Sequence, residues 1–281
     1  MTKFISTPSR TKEILETYGL RAKKSFGQNF LVDPVIVERC AEEAHCEGAV
    51  IEIGPGIGSL TEQLAIHAKH VTAYEVDPDL IDVLKDTLQA YDNVEIILQD
   101  FLTIDLPGKV RELKEKYGTV SVCSNLPYYV TTPILFQIFE QGAEIPYITV
   151  MVQKEVGERF AARPNEAPYG ALSAEGQYLY EVKKLFNVPG RSFNPSPDVD
   201  SVIIQFKRRE DADLSINLNS FFELVRACFK QRRKTIYNNL KEYLDDSERA
   251  KKVLAEAEIP CTKRAQECSW QDLKRIFEAM Q

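Results

Sequence analysis

The sequence predicts an α/β protein, with a mainly parallel sheet covered by helices and a small all-helical domain after it. Three observations lead to this prediction. Short apolar runs alternate with helical stretches over the first two-thirds of the chain, as in parallel sheets. Two later apolar runs follow each other without a helix between them. After Arg209 only helical patterns remain, so we expect two domains, residues 1–208 and 209–281.

The predicted elements follow in chain order. The strands that alternate with helices are expected at residues 49–53, 71–75, 94–98, 120–123 and 147–152. Two further runs, 181–188 and 201–207, are joined by a loop rich in Pro and Ser, which predicts an antiparallel pair at one sheet edge. The helices of the tail are expected at 218–244, 247–257 and 269–280.

Composition narrows the class of protein. The 281 residues carry a net charge of −7, and 44% are apolar, which is typical of a soluble globular chain. These values exclude a uniformly basic nucleic-acid coat and a wholly disordered chain. No apolar run approaches the roughly 20 residues that span a bilayer, and residues 1–21 lack the pattern of a secretory signal.

The cysteines and histidines do not combine at zinc-ligand spacing. We therefore expect free thiols in a reducing cytoplasm, no metal and no membrane association. Charge is unevenly spread, because residues 1–190 carry 18 basic and 27 acidic side chains and residues 191–281 carry 17 and 15. This shift indicates that the two domains have different partners.

A glycine-rich turn follows the first strand. Gly54, Gly56 and Gly58 precede a helix whose start, Ser59-x-x-Glu62, resembles a capping box. Glycines let the backbone approach a ligand closely, and the turn is expected at the carboxyl ends of the parallel strands, where ligands bind. Glu75 closes the second strand and can accept two hydrogen bonds from a ribose diol. The pattern predicts a nucleoside-cofactor site.

The spacing within the turn bears on which cofactor binds. A nicotinamide dinucleotide site reads G-x-G-x-x-G, whereas this turn reads G-x-G-x-G after an acid, Glu52. The turn resembles that of class I S-adenosylmethionine methyltransferases, which have a Rossmann-like sheet. That resemblance implies that Asp100, at the end of the third strand, binds the adenine of the cofactor.

Asn125-Leu126-Pro127-Tyr128 follows the fourth strand at the same predicted edge. An adenine amine is a weak nucleophile because its lone pair is delocalised into the ring. The Asn125 side-chain oxygen and a nearby main-chain carbonyl could each accept one N–H and stabilise the charge that develops on the amine. Pro127 stiffens the turn, and Tyr128 offers a flat face to an extruded base. The alternative is an ordinary turn, since Asn and Pro are common there.

A basic segment lies in the predicted helical tail. Between Leu224 and Lys241 the chain has six basic residues and no acid. The spacing of Arg226, Lys230, Arg233, Tyr237 and Lys241 predicts one face of a continuous helix. Such a positive stripe indicates an RNA footprint, although a solvated face is the alternative.

Taken together, these blocks resemble the ribosomal RNA adenine N6-dimethyltransferases, and among them the bacterial enzymes that act on 16S RNA. The resemblance covers about residues 23–240. It rests on six blocks, at residues 24–31, 52–61, 74–77, 125–128, 195–201 and 229–240, with Asp100 between them. It implies S-adenosylmethionine as methyl donor, no metal, and two adjacent adenosines near the 3′ end of 16S rRNA as substrate.

The resemblance also implies the roles of individual residues. Catalysis is expected from Asn125, Leu126, Pro127 and Tyr128. Cofactor contacts are expected from Gln28, Asn29, Leu31, Gly54, Gly56, Glu75, Asp100 and Asn125. RNA contacts are expected from Lys23, Lys24, Arg226, Lys230, Arg233 and Lys234. We expect a monomer in the cytoplasm and assign no role to the N-terminal extension, residues 1–21.

Three alternatives remain open at this point. The chain could be a methyltransferase of the antibiotic-resistance type that acts on 23S rRNA. It could be a ribosome-assembly or RNA-binding factor in which catalysis is incidental. A dehydrogenase is the weakest candidate, and nicotinamide binding would revive it. A DNA adenine methyltransferase more often has two prolines and an aromatic residue after its Asn or Asp.

Overall fold

The computed structural model describes residues 3–23, 27–142, 144–231 and 234–281. All seven predicted strands are present, together with two short additional strands, β1 and β8. The strands are β1 (Phe30–Leu31), β2 (Ala49–Ile53), β3 (His70–Glu75), β4 (Val94–Leu98), β5 (Val120–Asn125), β6 (Tyr147–Gln153), β7 (Tyr180–Val188), β8 (Phe193–Asn194) and β9 (Ser201–Arg208).

Seven of these strands form one mixed sheet in the order β4-β3-β2-β5-β6-β9-β7. The neighbours from β4 to β6 are parallel, and β9 runs antiparallel to β6. As predicted, β9 and β7 are neighbours at one edge. Every residue of β2 is buried, including Glu52, and its other four residues are apolar, as expected for a strand covered on both faces. The carboxyl ends of the parallel strands therefore share one edge of the sheet.

Helices precede, separate and follow the strands. In the described part of the chain they are α1 (Pro8–Thr17), α2 (Pro34–Glu42), α3 (Ser59–His67), α4 (Ile81–Thr87), α5 (Leu106–Tyr117), α6 (Thr131–Gln141), α7 (Lys154–Ala161), α8 (Ala171–Leu179), α9 (Leu218–Phe229), α10 (Ile236–Leu244), α11 (Ser247–Glu256) and α12 (Trp270–Glu278). Of the helices described, none is both long enough and apolar enough to cross a membrane.

The chain folds as two compact units. One comprises Met1–Gly157 and Lys183–Lys207, and the other comprises Glu158–Val182 and Arg208–Gln281. The second unit includes 158–182, which the predicted boundary near residue 208 assigns to the first domain. Within this unit the Tyr169 hydroxyl donates to the Cys268 carbonyl at 2.8 Å, and the Tyr178 ring lies 4.6 Å from that of Phe221.

The predicted continuous helix over 218–244 is wrong. The structure has α9 and α10, with Thr235 as the N-cap of α10. The amide of Ile236 donates to the Lys263 carbonyl at 2.7 Å, so it does not form the bond to residue i−4 that a continuous helix requires. A helical spacing cannot be carried across this break, and the predicted single basic face over 226–241 is therefore wrong as well.

The predicted capping box at the start of α3 is also wrong. Gly58, with φ of 94°, is the N-cap, and no side chain caps this helix. The Glu62 carboxylate accepts a hydrogen bond from the Ile5 amide at 2.7 Å. Ile5 and Ile14 belong to an apolar cluster with Ile57, so the N-terminal extension packs beside the glycine turn.

Candidate active site

A cavity of about 270 Å³ lies where the parallel strands end. It gathers every residue that the sequence predicts for catalysis or cofactor binding. The lining includes Gln28, Asn29, Leu31, Gly54, Gly56, Glu75, Asp100, Asn125, Leu126, Pro127 and Tyr128. These residues come from five separate parts of the chain, and the shared edge of the sheet brings them together.

The glycine turn forms one wall. Gly54 and Gly56 have φ of 71° and 62°, a region that glycine adopts readily and other residues rarely do. A Cβ on Gly54 would lie 3.3 Å from the Pro127 Cγ, and one on Gly56 would lie 3.4 Å from the Phe30 ring. The wall is therefore bare backbone, and a side chain at either position would be strained and crowded.

Glu75 ties the glycine turn to the end of β3. Its Oε1 accepts hydrogen bonds from the amides of Val76 and Asp77, both at 2.8 Å, and its Oε2 accepts one from the Gly56 amide at 3.4 Å. Burial raises the pKa of this carboxyl group. A carboxylate offers about four lone-pair sites, so Glu75 retains capacity for a ligand hydroxyl.

Asp100 is exposed and caps a short 3-10 helix. Its Oδ1 accepts a hydrogen bond from the Leu102 amide at 2.9 Å. Its Oδ2 accepts no hydrogen bond within the described part of the chain. The carboxylate is therefore fixed in orientation and retains acceptor capacity beside the cavity.

The turn after β5 is held in place by hydrogen bonds that involve Leu126, Pro127 and Tyr128. The Leu126 amide donates to the Met151 carbonyl at 3.2 Å, and the Pro127 carbonyl accepts from the Thr131 hydroxyl at 3.0 Å. The Tyr128 hydroxyl lies 2.7 Å from the Ser201 hydroxyl. Among the described residues, none donates to the Asn125 carboxamide oxygen or to the Leu126 carbonyl. Two acceptors thus stay available on a rigid turn.

The N-terminal wall contains two amide side chains that are hydrogen-bonded within the protein. Gln28 lines the cavity, but its side-chain oxygen accepts from the Lys23 amide at 2.9 Å, and its side-chain nitrogen donates to Asp77 at 2.8 Å. The Asn29 side chain donates to the Gly27 carbonyl at 3.0 Å. Both side chains therefore have partners inside the protein.

The cavity is also lined by residues that the motifs did not indicate as site residues, among them Phe193, Tyr129, Leu102 and Glu52. Phe193 reaches the cavity because β8 pairs with β1, with Phe193 opposite Leu31. No local signal in the sequence indicates that pairing. Tyr129 and Leu102 are exposed at the rim. Glu52 is 1% exposed, and burial raises its pKa to about 8.

The residues predicted to contact RNA differ in their surroundings. Lys23 pairs with Asp77 and Asp79 in the first unit. In the second unit, Arg226 pairs with Glu175 at 3.1 Å and Lys230 with Glu242 at 2.7 Å. Lys234 is exposed. Lys24 and Arg233 lie outside the described residues.

Comparison with known proteins gives a consistent result. Residues 19–281 match a family described as "Ribosomal RNA adenine dimethylase". A Bacillus pumilus protein named "Ribosomal RNA small subunit methyltransferase A" is 46% identical, with 100% of this chain and 99% of the relative covered. The protein of that name in Staphylococcus aureus (strain Newman) is 44% identical, with 98% and 95% covered.

Two solved structures are similar as well. A dimethyladenosine transferase from Plasmodium falciparum is 26% identical with a TM-score of 0.74, and 88% of this chain and 95% of that one are covered. The 23S rRNA methyltransferase ErmE is 28% identical with a TM-score of 0.66, and 90% and 99% are covered. These similarities confirm the Rossmann-like methyltransferase fold that the sequence predicts.

Proposed function

The chain belongs to the ribosomal RNA adenine dimethylase family, and we propose that it methylates the N6 amines of two adjacent adenosines near the 3′ end of 16S rRNA. The product would be N6,N6-dimethyladenosine in the small ribosomal subunit, and the enzyme would act in ribosome biogenesis in the cytoplasm. The small-subunit target is supported by the names of relatives that match over nearly their whole length. The gathering of all the predicted site residues around one cavity carries the proposal.

The cavity would hold S-adenosylmethionine, which supplies an electrophilic methyl group on a sulfonium. The bare backbone at Gly54 and Gly56 leaves space that any Cβ would reduce. Glu75 would accept from the ribose hydroxyls, and Asp100 would accept from the adenine amine. Gln28, Asn29 and Leu31 would contribute wall contacts, mainly apolar and main-chain, because the two amide side chains already have partners.

The turn after β5 would hold the target amine. The Asn125 oxygen and the Leu126 carbonyl would each accept one N–H, which favours a pyramidal nitrogen whose lone pair is directed at the methyl donor. Such fixed acceptors stabilise the positive charge that develops on the amine. Tyr128 would stack on the target base, and its hydroxyl bond to Ser201 fixes its position.

RNA would be held by basic side chains through phosphate contacts, which are sensitive to salt and independent of sequence. We propose this role for Lys230, Lys234, Lys24 and Arg233. Lys230 would exchange an exposed carboxylate, Glu242, for phosphate at little cost. Arg226 would have to leave Glu175, which is fully buried, and this contact favours a structural role for Arg226.

The test is methyl transfer from labelled S-adenosylmethionine to unmethylated 30S particles, 50S particles, naked RNA and DNA. Label only in dimethyladenosine of the 30S particle is expected. The similarity to a 23S rRNA methyltransferase makes the 50S particle the second candidate, and label there would overturn the small-subunit target.

Asn125→Ala should lower the transfer rate about 100- to 1,000-fold, the usual effect of removing one stabilising polar group. S-adenosylmethionine binding should fall much less than the transfer rate, because Asn125 is one of eight expected cofactor contacts. Asn187→Ala, an exposed asparagine on β7, is the matched control. If Asn125→Ala abolished methylation but left ribosome assembly in cells normal, methylation itself would be incidental to the biological role.

A further inference from the structure

We propose that Lys23 and Asp77 are positioning residues of the cofactor cavity, and that Lys23 acts mainly there and not on RNA. The pair fastens the N-terminal wall of the cavity, Gln28–Leu31, to the end of β3. This inference rests on the proposed function, because the cavity is taken to hold S-adenosylmethionine.

The two carboxylate oxygens of Asp77 accept hydrogen bonds from Lys23 and Gln28. The Lys23 ammonium lies 2.7 Å from Oδ1, and the Gln28 side chain donates to Oδ2 at 2.8 Å. The Lys23 amide in turn donates to the Gln28 side-chain oxygen at 2.9 Å. The three residues therefore form a closed set of hydrogen bonds.

The burial of Asp77 makes this set strong. Its side chain is 1% exposed, whereas that of Lys23 is 36% exposed. Although burial opposes ionisation, the bonds from Lys23 and Gln28 lower the pKa of Asp77. Hydrogen bonds to a charged group are stronger than neutral ones, and loss of one partner leaves the buried charge poorly compensated. Asp79 also contacts Lys23, but it is 64% exposed, so that contact contributes little.

The set is connected to both sides of the cavity. The Asp77 amide donates to Glu75 Oε1 at 2.8 Å, which helps to orient the carboxylate expected to bind the ribose. On the other side, a Cβ on Gly27 would lie 3.2 Å from the Tyr129 ring, so the residue preceding Gln28 touches the rim. Release of Gln28 would therefore disturb the wall next to Glu75 and next to Tyr129.

The experiment compares Lys23→Met, Asp77→Asn and the double variant with the wild-type enzyme. Equilibrium binding of S-adenosylmethionine and of 30S particles is measured separately, together with KM and kcat. Lys23→Met should weaken cofactor binding about tenfold and raise the KM for the cofactor, with kcat and 30S affinity nearly unchanged. The double variant should lose no more affinity for S-adenosylmethionine than the single variant that binds it less tightly. Both substitutions remove the same interaction, so their effects should not add.

Two further variants keep the test decisive. Lys23→Arg retains the cation and should restore most of the cofactor affinity. Asp79→Asn removes the exposed partner of the same lysine and should change affinity less than twofold. Unchanged cofactor binding in Lys23→Met, or additive losses in the double variant, would overturn the inference.

The inference and the proposed function fail differently. If wild-type protein does not bind S-adenosylmethionine, the proposed function is wrong. If wild type binds the cofactor but Lys23→Met weakens only 30S binding, Lys23 is an RNA contact and only this inference is wrong.

Discussion

Among the described residues, each compact unit contains one glutamate that is at most 1% exposed, Glu52 in the sheet unit and Glu175 in the helical unit. The two carboxyl groups are neutralised in different ways. In the helical unit, the Glu175 side chain is fully buried, and the Arg226 guanidinium donates to both of its oxygens at 3.1 Å. In the sheet unit, Glu52 is 1% exposed, and its Oε2 has no hydrogen-bond partner among the described residues. Burial raises the Glu52 pKa to about 8, so this carboxyl is largely protonated at neutral pH.

The comparison shows how a buried carboxylate determines the role of a basic residue. A buried charge is tolerated when it is paired or neutralised by a proton. Arg226 satisfies that requirement for Glu175, although the sequence places Arg226 in a basic segment that indicates RNA binding. Glu52 has no such cation in the described structure. The stability of the sheet unit should therefore depend on pH more strongly than that of the helical unit.

The largest effect is expected from Arg226→Met, which removes the guanidinium from a buried carboxylate. The free energy of unfolding should fall by about 3–5 kcal/mol, measured by urea unfolding. Lys241→Met, an exposed lysine on α10, is the control and should change stability little. Unchanged stability combined with a large loss of RNA affinity would make Arg226 an RNA contact and remove the contrast with Glu52.

The titration of the Glu52 carboxyl group should be visible in the pH dependence of the free energy of unfolding. Its folded-state pKa is raised above its unfolded value, so the folded state binds the extra proton, and stability falls as pH rises from the unfolded pKa to about 8. Between pH 5.5 and 8.5 this contribution should decrease by about 3 kcal/mol. Glu52→Gln keeps the shape without titrating, so urea unfolding should show less loss of stability over that range. Parallel curves for the variant and the wild type would contradict the assignment.

A smaller effect is expected from Gly54→Ala, which tests the bare wall of the sheet unit. The positive φ and the 3.3 Å approach to Pro127 both oppose a side chain. The strained backbone should lower the free energy of unfolding by about 1–2 kcal/mol. The Cβ at the cavity wall should weaken S-adenosylmethionine binding roughly tenfold, as measured by calorimetry. Gly118→Ala has a similarly positive φ, but its Cβ would meet no atom within 4 Å, so it reports backbone strain alone. Equal cofactor affinity in both variants would show that crowding at the wall is unimportant.

The smallest change in stability is expected from Lys230→Met in the helical unit. Its side chain is 65% exposed and that of Glu242 is 42% exposed, so their pair should contribute less than about 1 kcal/mol. If Lys230 contacts a phosphate, affinity for 30S particles should fall, and the slope of log affinity against log salt should decrease by about one. An unchanged salt slope would show that Lys230 makes no phosphate contact.

The fold and most of the cavity could be predicted because their signals are local. Each motif follows a strand directly, and parallel strands end at a common edge, so Gly54, Glu75, Asp100 and Asn125 had to meet. Phe193 could not be predicted, because it reaches the cavity through the pairing of two-residue strands far apart in the chain. The membership of 158–182 in the helical unit was missed for a similar reason, since these residues precede the last sheet strands.

The prediction of one basic helix face over residues 226–241 was wrong because it extended helical spacing across a break between α9 and α10. Thr235 caps α10, and the Lys263 carbonyl takes the amide of Ile236, so the interruption depends on a residue 27 positions further along. A local pattern contains no information about that partner.

By itself, the sequence determined the α/β class, the glycine turn, the acceptors near the ends of β3, β4 and β5, and the resemblance to the dimethylase family, because spacing and residue chemistry within short segments are enough for these. Only the tertiary structure decided which charges are available to a ligand. The members of each ion pair are far apart in the sequence, 54 residues for Lys23 and Asp77 and 51 residues for Arg226 and Glu175. An ion pair forms only when the folded chain brings both side chains within about 4 Å of each other. Burial then fixes how strongly each pair is held, since a charge removed from water must keep its partner.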